Sequence, residues 1–205
     1  MDKKLYIQSY CHIKNNQLWL NGKLIFEGDP GSIVKDFFKS SYRDQKMHYA
    51  KFFKMDNLSK LSILAAELIL RDIDINEFDH NIALIFSNRA SSLDTDKKHQ
   101  QTIDDAEHYY PSPAIFVYTL PNIGIGEISI KHKLKSENGF FVFDDFNAKF
   151  HHNYEELLIK SKKSNAVLSG WVNFDDESFE AFVYLTSEKK GIEHTEQNII
   201  KLYKE

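Results

Sequence analysis

The sequence predicts a layered α/β fold, a mixed sheet with helices packed on it, and three observations carry that prediction. From Asn57 onward Leu58, Leu61, Leu64, Ala65, Leu68 and Ile69 recur at three- and four-residue steps, the period of an amphipathic helix. Ile82-Ala83-Leu84-Ile85-Phe86 is a short unbroken apolar run of the kind found in a strand buried on both faces. After it, strand-like runs alternate with helical patterns to the last residues.

Residues 4 to 13 carry Leu5, Ile7, Cys11 and Ile13 among aromatic neighbours and read as a strand. Leu18-Trp19-Leu20, the pair Asn21-Gly22 and Lys23-Leu24-Ile25-Phe26 form a hairpin signal, because the tight turn needs positive φ at both central residues. Asp56 or Asn57 is placed to cap the helix that follows. Residues 88 to 110 are polar and predict a surface excursion with a short helix around Asp96 to Glu107. Pro111, Pro113 and Pro121 divide the next stretch into two short helices meeting near Leu120-Pro121. Phe140 to Phe143 reads as a strand, Asn147 to Lys163 as a helix, and Ala166 to Leu168 as a strand. Phe179, Ala181, Val183 and Leu185 alternate in a further strand, and Glu193 to Lys204 closes with a helix.

A chain of 205 residues with 42% hydrophobic content supports one buried core, so residues 1–205 are expected to form a single domain. A net charge of -4 gives no bulk attraction to nucleic acid or anionic membranes, and neither is expected as a partner. The start lacks the apolar run of a signal peptide, and a single cysteine fits a reducing compartment. A cytoplasmic location is the expectation.

One stretch is more specific. Pro121-Asn122, Gly126, Ile128, Ile130-Lys131 and the turn Ser136-Glu137-Asn138 follow the order of the segment that leads to the nucleophile of a β-ketoacyl synthase. Further on, Asn165-Ala166-Val167-Leu168-Ser169-Gly170 matches that family's next strand and fixes the register. The chain resembles the N-terminal half of the thiolase-like fold, within it the β-ketoacyl synthases, and particularly those of aryl-polyene and flexirubin-type pigment clusters.

That resemblance puts Asp145 where the family carries its nucleophilic cysteine. A thiolate gains from a helix N-terminus, whereas a carboxylate there is already stabilised and is a poor acyl acceptor. Asp144 and Asp145 are therefore expected to cap the following helix rather than to catalyse. Cys11, inside the first strand, is expected to behave as a small hydrophobe. The family's two activating histidines belong to a second half that this sequence does not show.

The resemblance further implies a subunit contact. Phe140, Phe141, Val142 and Phe143, with Phe116, Val117, Tyr118 and Leu120, are the candidate interface, either with a second copy or with a full ketosynthase. It implies a non-catalytic accessory subunit of chain-length-factor type in fatty-acid, polyketide or aryl-polyene-type biosynthesis, with acyl carrier protein as a further possible partner. Two alternatives stay open: an enzyme of another acyl-transfer or hydrolytic type using His132, His151 or the acidic excursion, and a scaffold without an acyl ligand.

Other constellations carry less. His151-His152 point about 100° apart on a helix and are expected to be an exposed pair. His132, between Lys131 and Lys133, is expected to face solvent or a partner. Asp94, Asp96, His99, Asp104, Asp105, Glu107 and His108 lack the spacing of a named metal site, so no metal or other cofactor is expected. Gly124-x-Gly126 lacks a third glycine and suits close helix packing. Lys160, Lys162 and Lys163 complement a helix C-terminus.

Overall fold

The computed structural model describes residues 4–107, 109–176 and 178–205. The hairpin forms as its turn pair requires. β1 (Tyr6–Lys14) pairs antiparallel with β2 (Gln17–Leu20), which returns as β3 (Lys23–Glu27). Leu20 faces Lys23, and Asn21 and Gly22 take φ of 50° and 75°. The chain then makes α1 (Val34–Asp44) and a 3-10 turn at Ala50–Lys54, neither of which the sequence pattern predicts. α2 (Asn57–Leu70) starts where the pattern starts, and Asp56 is its cap, accepting a hydrogen bond from Ser59 N.

β4 (Ile82–Asn88) is buried along its whole length between two parallel neighbours, as its unbroken apolar run predicts. The excursion contains α3 (Leu93–Gln101), earlier and shorter than the pattern suggested. α4 (Pro113–Phe116) runs into a 3-10 turn at Val117–Thr119, and α5 (Ile123–His132) follows. β5 (Asn138–Val142), α6 (Ala148–Lys160), β6 (Ala166–Asp175), β7 (Ser178–Ser187), the two-residue β8 (Ile192–Glu193) and α7 (Glu196–Tyr203) complete the chain. β6 is much longer than its apolar core predicts, because it crosses Ser169-Gly170 without breaking.

Among the described residues the strands form one mixed sheet in the order β3-β2-β1-β7-β6-β4-β5, with β8 beside β1. Side-chain alternation sends Ile82, Leu84 and Phe86 to one face of β4, and Ala83 and Ile85 to the other. The first face packs on α1, α2 and α5, where Phe37, Phe38, Leu61, Leu64 and Ile128 build the larger core. The second face is covered by α6 and α7 through Leu158, Ile159, Ile199 and Leu202. α5 approaches α2 closely because Gly124 has no side chain. A Cβ there would stand 3.1 Å from Ser62 Oγ and 3.3 Å from Ser59 Cα, so of the glycine pair Gly124 is closely packed, whereas Gly126 has nothing within 4 Å of its Cβ position. Cys11 is fully buried on β1, its thiol 3.5 Å from Ala65 O, and burial pushes its pKa up to about 12.

Candidate functional site

The connection from β5 to α6 is set by one aromatic anchor. Phe146 packs against His151, Trp171, Phe182 and Tyr203, with ring centroids 4.7 to 6.4 Å away, and so fixes how the chain enters the helix. Asn147 is the cap: its side chain accepts from Phe150 N at 2.9 Å. Asp144 and Asp145 lie in the exposed bend before it, so the expected capping role is corrected. With Phe146 turned inward, the helix begins beyond both carboxylates and the first orphan amides meet Asn147 instead. Asn147→Ala is expected to cost about 1 kcal/mol in urea unfolding, and Asp145→Ala less than about 0.5 kcal/mol. Equal losses would contradict this assignment.

The bend lines an open depression of about 460 Å³ together with Phe143, Ala148, Lys149, Glu196 and Ile200. Among the described residues its lining contains carboxylates and a lysine but no thiol, hydroxyl or imidazole.

Below the bend, α6 turns polar groups toward the sheet. His151 is fully buried, with Nε2 2.7 Å from Ser87 Oγ on β4 and Nδ1 2.8 Å from Ser169 Oγ on β6. Burial pushes its pKa down to about 4 against the opposing pull of Glu155, so the ring is neutral at pH 7, and a neutral ring can both donate and accept. One turn on, Glu155 is fully buried and accepts from Tyr184 Oη at 2.6 Å and Thr186 Oγ1 at 2.7 Å on β7. His194 Nε2 stands 2.9 Å from its other side. Burial pulls the Glu155 carboxyl upward, but His194 and the Tyr184 hydroxyl hold it below the usual carboxylate range. The result is a buried polar line across three strands.

Two acidic side chains on the opposite face are also paired. Glu127 on α5 accepts from Tyr49 Oη at 2.7 Å and pairs with Lys51. Glu67 on α2 meets Lys131 Nζ at 2.5 Å and His132 Nε2 at 3.3 Å. Burial raises the Glu67 pKa, yet the hydrogen bonds from His132 and Lys131 bring it down to about 2.

No protein-family model and no curated protein sequence matches the chain. Solved structures do. The ishigamide ketosynthase/chain length factor superimposes with a TM-score of 0.65 at 14% identity over 90% of this chain. A ketosynthase (ApeO) in complex with its chain length factor (ApeC) from Xenorhabdus doucetiae gives 0.61 at 13% identity over 98% of this chain and 90% of that one. The AntDE:AntF complex, a type II PKS acyl-carrier protein with its ketosynthase bound to the hexaketide, gives 0.62 at 13% identity over 98% of this chain. The fold is that of the thiolase-like ketosynthases and chain length factors. The chain spans 62% of the matched ishigamide chain and 65% of the matched Ant chain.

Within that thiolase-like fold, β5 is the sheet's terminal strand, with one edge unpaired among the described residues. Val142 on β5 is 54% exposed, and Phe116, Val117 and Leu120 are 60%, 49% and 58% exposed. Val142 pairs with Asn88 at the C-terminal end of β4, and Thr119 O accepts from Ser92, the residue before α3. Tyr118 is buried in the larger core and leaves the candidate interface, since the 3-10 turn points it inward. Phe140, Phe141 and Phe143 are half-buried. Phe140 packs on the larger core, and Phe141 and Phe143 pack on Phe150 of α6.

The histidines also differ from expectation. His151 is core rather than exposed, and His152 is half-buried, because the 100° between them sends one into the sheet and the other toward His194. His132 is held against Glu67 rather than facing solvent. In the acidic excursion, Asp94 pairs with Lys98, Asp96 accepts from Ser92, Asp104 from Gln100, and Asp105 from Glu107 N. His99 packs on Phe116. His108 lies outside the described residues. Lys160 and Lys163 pair with Glu156 and Glu137, and Lys162 is exposed. The buried polar line was not visible in the sequence, since its members come from separate elements and no local pattern joins them. No helix among the described residues is long and apolar enough to cross a membrane.

Proposed function

We propose that this chain is a non-catalytic, ketosynthase-like subunit of chain-length-factor type that works in the cytoplasm as one domain, by packing against a second copy or against a full ketosynthase. The observation that carries this reading is the exposed bend at Asp145. The position matching the family's nucleophile offers a carboxylate to solvent, before the helix rather than on its first amides, so nothing there would hold a thioester carbonyl and attack it. The unpaired edge of β5, with exposed Val142, and the exposed Phe116, Val117 and Leu120 in and after α4 are surfaces of the kind expected for a subunit contact. Three similar structures, in their own descriptions, join ketosynthase with chain length factor or with acyl carrier protein, and one is a type II PKS, which supports the choice of partners and, within fatty-acid, polyketide or aryl-polyene-type synthesis, the polyketide setting.

The alternative enzyme reading needed His132, His151 or the acidic excursion to share a polar pocket. They stand apart: His132 on Glu67, His151 sealed between α6 and the sheet, the excursion on the surface. The test is sedimentation and native mass spectrometry of the chain alone and co-expressed with a ketosynthase from the same host. A dimer is expected in at least one case. Val142→Arg with Leu120→Asp, both at exposed positions, is expected to dissociate it while leaving the circular dichroism spectrum intact. A monomer in both cases, a dimer indifferent to the double substitution, or unaided condensation of malonyl and acyl carrier-protein thioesters would each reject the reading.

A further inference from the structure

A cluster of ligand-type side chains, none of which lines the depression at the bend or belongs to the β5 edge, joins α6 to the C-terminal segment. His152 and Glu156 are four residues apart on α6 and share a face, and His194 meets them from the segment between β8 and α7. One ring nitrogen of each histidine and one Glu156 oxygen lie within 4.8 Å of one another. The two imidazoles stack with centroids 4.7 Å apart and an interplanar angle of 15°.

His194 makes this more than a surface coincidence. It is 5% exposed, and both its ring nitrogens are buried. Nε2 stands 2.9 Å from Glu155 Oε2, off the line of a good hydrogen bond, and Nδ1 has no hydrogen-bond partner among the described residues. Buried polar atoms in native proteins are paired almost without exception, so an imidazole left open beside a second imidazole and a carboxylate calls for a ligand. A bound cation supplies one. A ligating histidine characteristically turns its other nitrogen to a carboxylate that fixes the ring, and Glu155, held in place by Tyr184 and Thr186, occupies that place. Glu156 uses Oε1 for Lys160 and His152 has Nδ1 3.3 Å from Asn153 Oδ1, so among the described residues Glu156 Oε2 and His152 Nε2 have no hydrogen-bond or ion-pair partner.

We propose that His152, Glu156 and His194 bind one zinc ion, with Glu155 positioning His194. Two imidazoles and a carboxylate suit zinc, whereas magnesium and calcium favour all-oxygen sets. Tetrahedral ligands sit about 3.3 Å apart at ordinary zinc distances, so atoms now spread over as much as 4.8 Å must close by about 1.5 Å, and the half-buried His152 ring must swing out of its stack so that both ring planes meet at the ion. The ion ties α6 to the segment that leads into α7 and clamps the C-terminal helix to the sheet face. A fourth position is left for water. This inference rests on no part of the ketosynthase reading.

The test uses the full chain without an affinity tag, stripped with a chelator and titrated with zinc chloride against a chromophoric competitor, with native mass spectrometry for stoichiometry. One zinc per chain with a dissociation constant below about 10 μM is expected, with no competition from millimolar magnesium. Saturating zinc is expected to raise the thermal midpoint by about 5 °C. His152→Gln and Glu156→Gln are expected to keep the circular dichroism spectrum and to weaken zinc binding at least about tenfold each. A constant above about 10 μM, or an affinity that neither substitution changes, overturns the site.

Discussion

Gly170→Ala is expected to abolish stable folding. Gly170 lies in β6 between β4 and β7, with φ of 153°, a backbone conformation that L side chains rarely adopt. A Cβ would stand 2.0 Å from Phe182 O and 2.8 Å from Val183 Cα, both backbone atoms of the adjoining strand. Neither can turn away as a side-chain tip could, so relief requires parting β6 from β7 at the middle of the sheet. The cost should exceed about 4 kcal/mol, read as loss of soluble protein or of the cooperative urea transition. Gly126→Ala is the internal comparison. No atom lies within 4 Å of its Cβ position, and it sits inside α5, so it should gain about 0.5 kcal/mol. A Gly170→Ala protein as stable as the parent would mean that β6 and β7 do not pair in this register.

Acid is expected to weaken the fold well before its carboxylates titrate. Two buried histidines have their pKa lowered to about 4 from 6.5, chiefly by burial: His151 beneath α6, and His12 on β1, whose Nε2 lies 2.9 Å from Leu202 O. The unfolded chain therefore binds protons at these sites first. Their contribution is present in full above pH 6.5 and is lost as pH falls from there toward 4, where the folded protein also becomes protonated. At pH 5 each histidine should forfeit about 2 kcal/mol relative to pH 7, and the pair about 3 kcal/mol once the incomplete burial of His12 is discounted. Urea unfolding at the two pH values measures this directly. Equal free energies at pH 7 and pH 5 would show that the rings are not held neutral.

The parts of the fold that could be read from sequence are those whose cause is local. Asn21-Gly22 specifies its turn by backbone conformation alone, the pattern after Asn57 specifies α2, and the unbroken run at Ile82 specifies a doubly covered strand. α1 carries no such local signal, because Ile33 precedes it without a capping side chain and its fully buried residues are Phe37, Phe38 and Ser41, with Val34 and Tyr42 half-buried against the core. β6 runs on past Leu168, where its opening apolar run stops, because Gly170 has no side chain to hold β7 off. At the bend, Asp144, Asp145 and Asn147 are all good caps, and only the inward packing of Phe146 decides among them. The zinc ligands illustrate the limit of pattern reading. His152 and Glu156 form a local pair, but His194 joins them only once β8 has paired with β1.

A greasy contact between a helix and a sheet lets the helix creep or swivel by a fraction of a turn at little cost. α6 has no such freedom, because any swivel would tear His151 from two serines and Glu155 from Tyr184 and Thr186 at once, leaving each stranded without water. Its outward residues, among them Lys149, Asn153 and Leu157, are thus presented at one fixed azimuth. A molecule docking there meets a rigid template, and must conform to it.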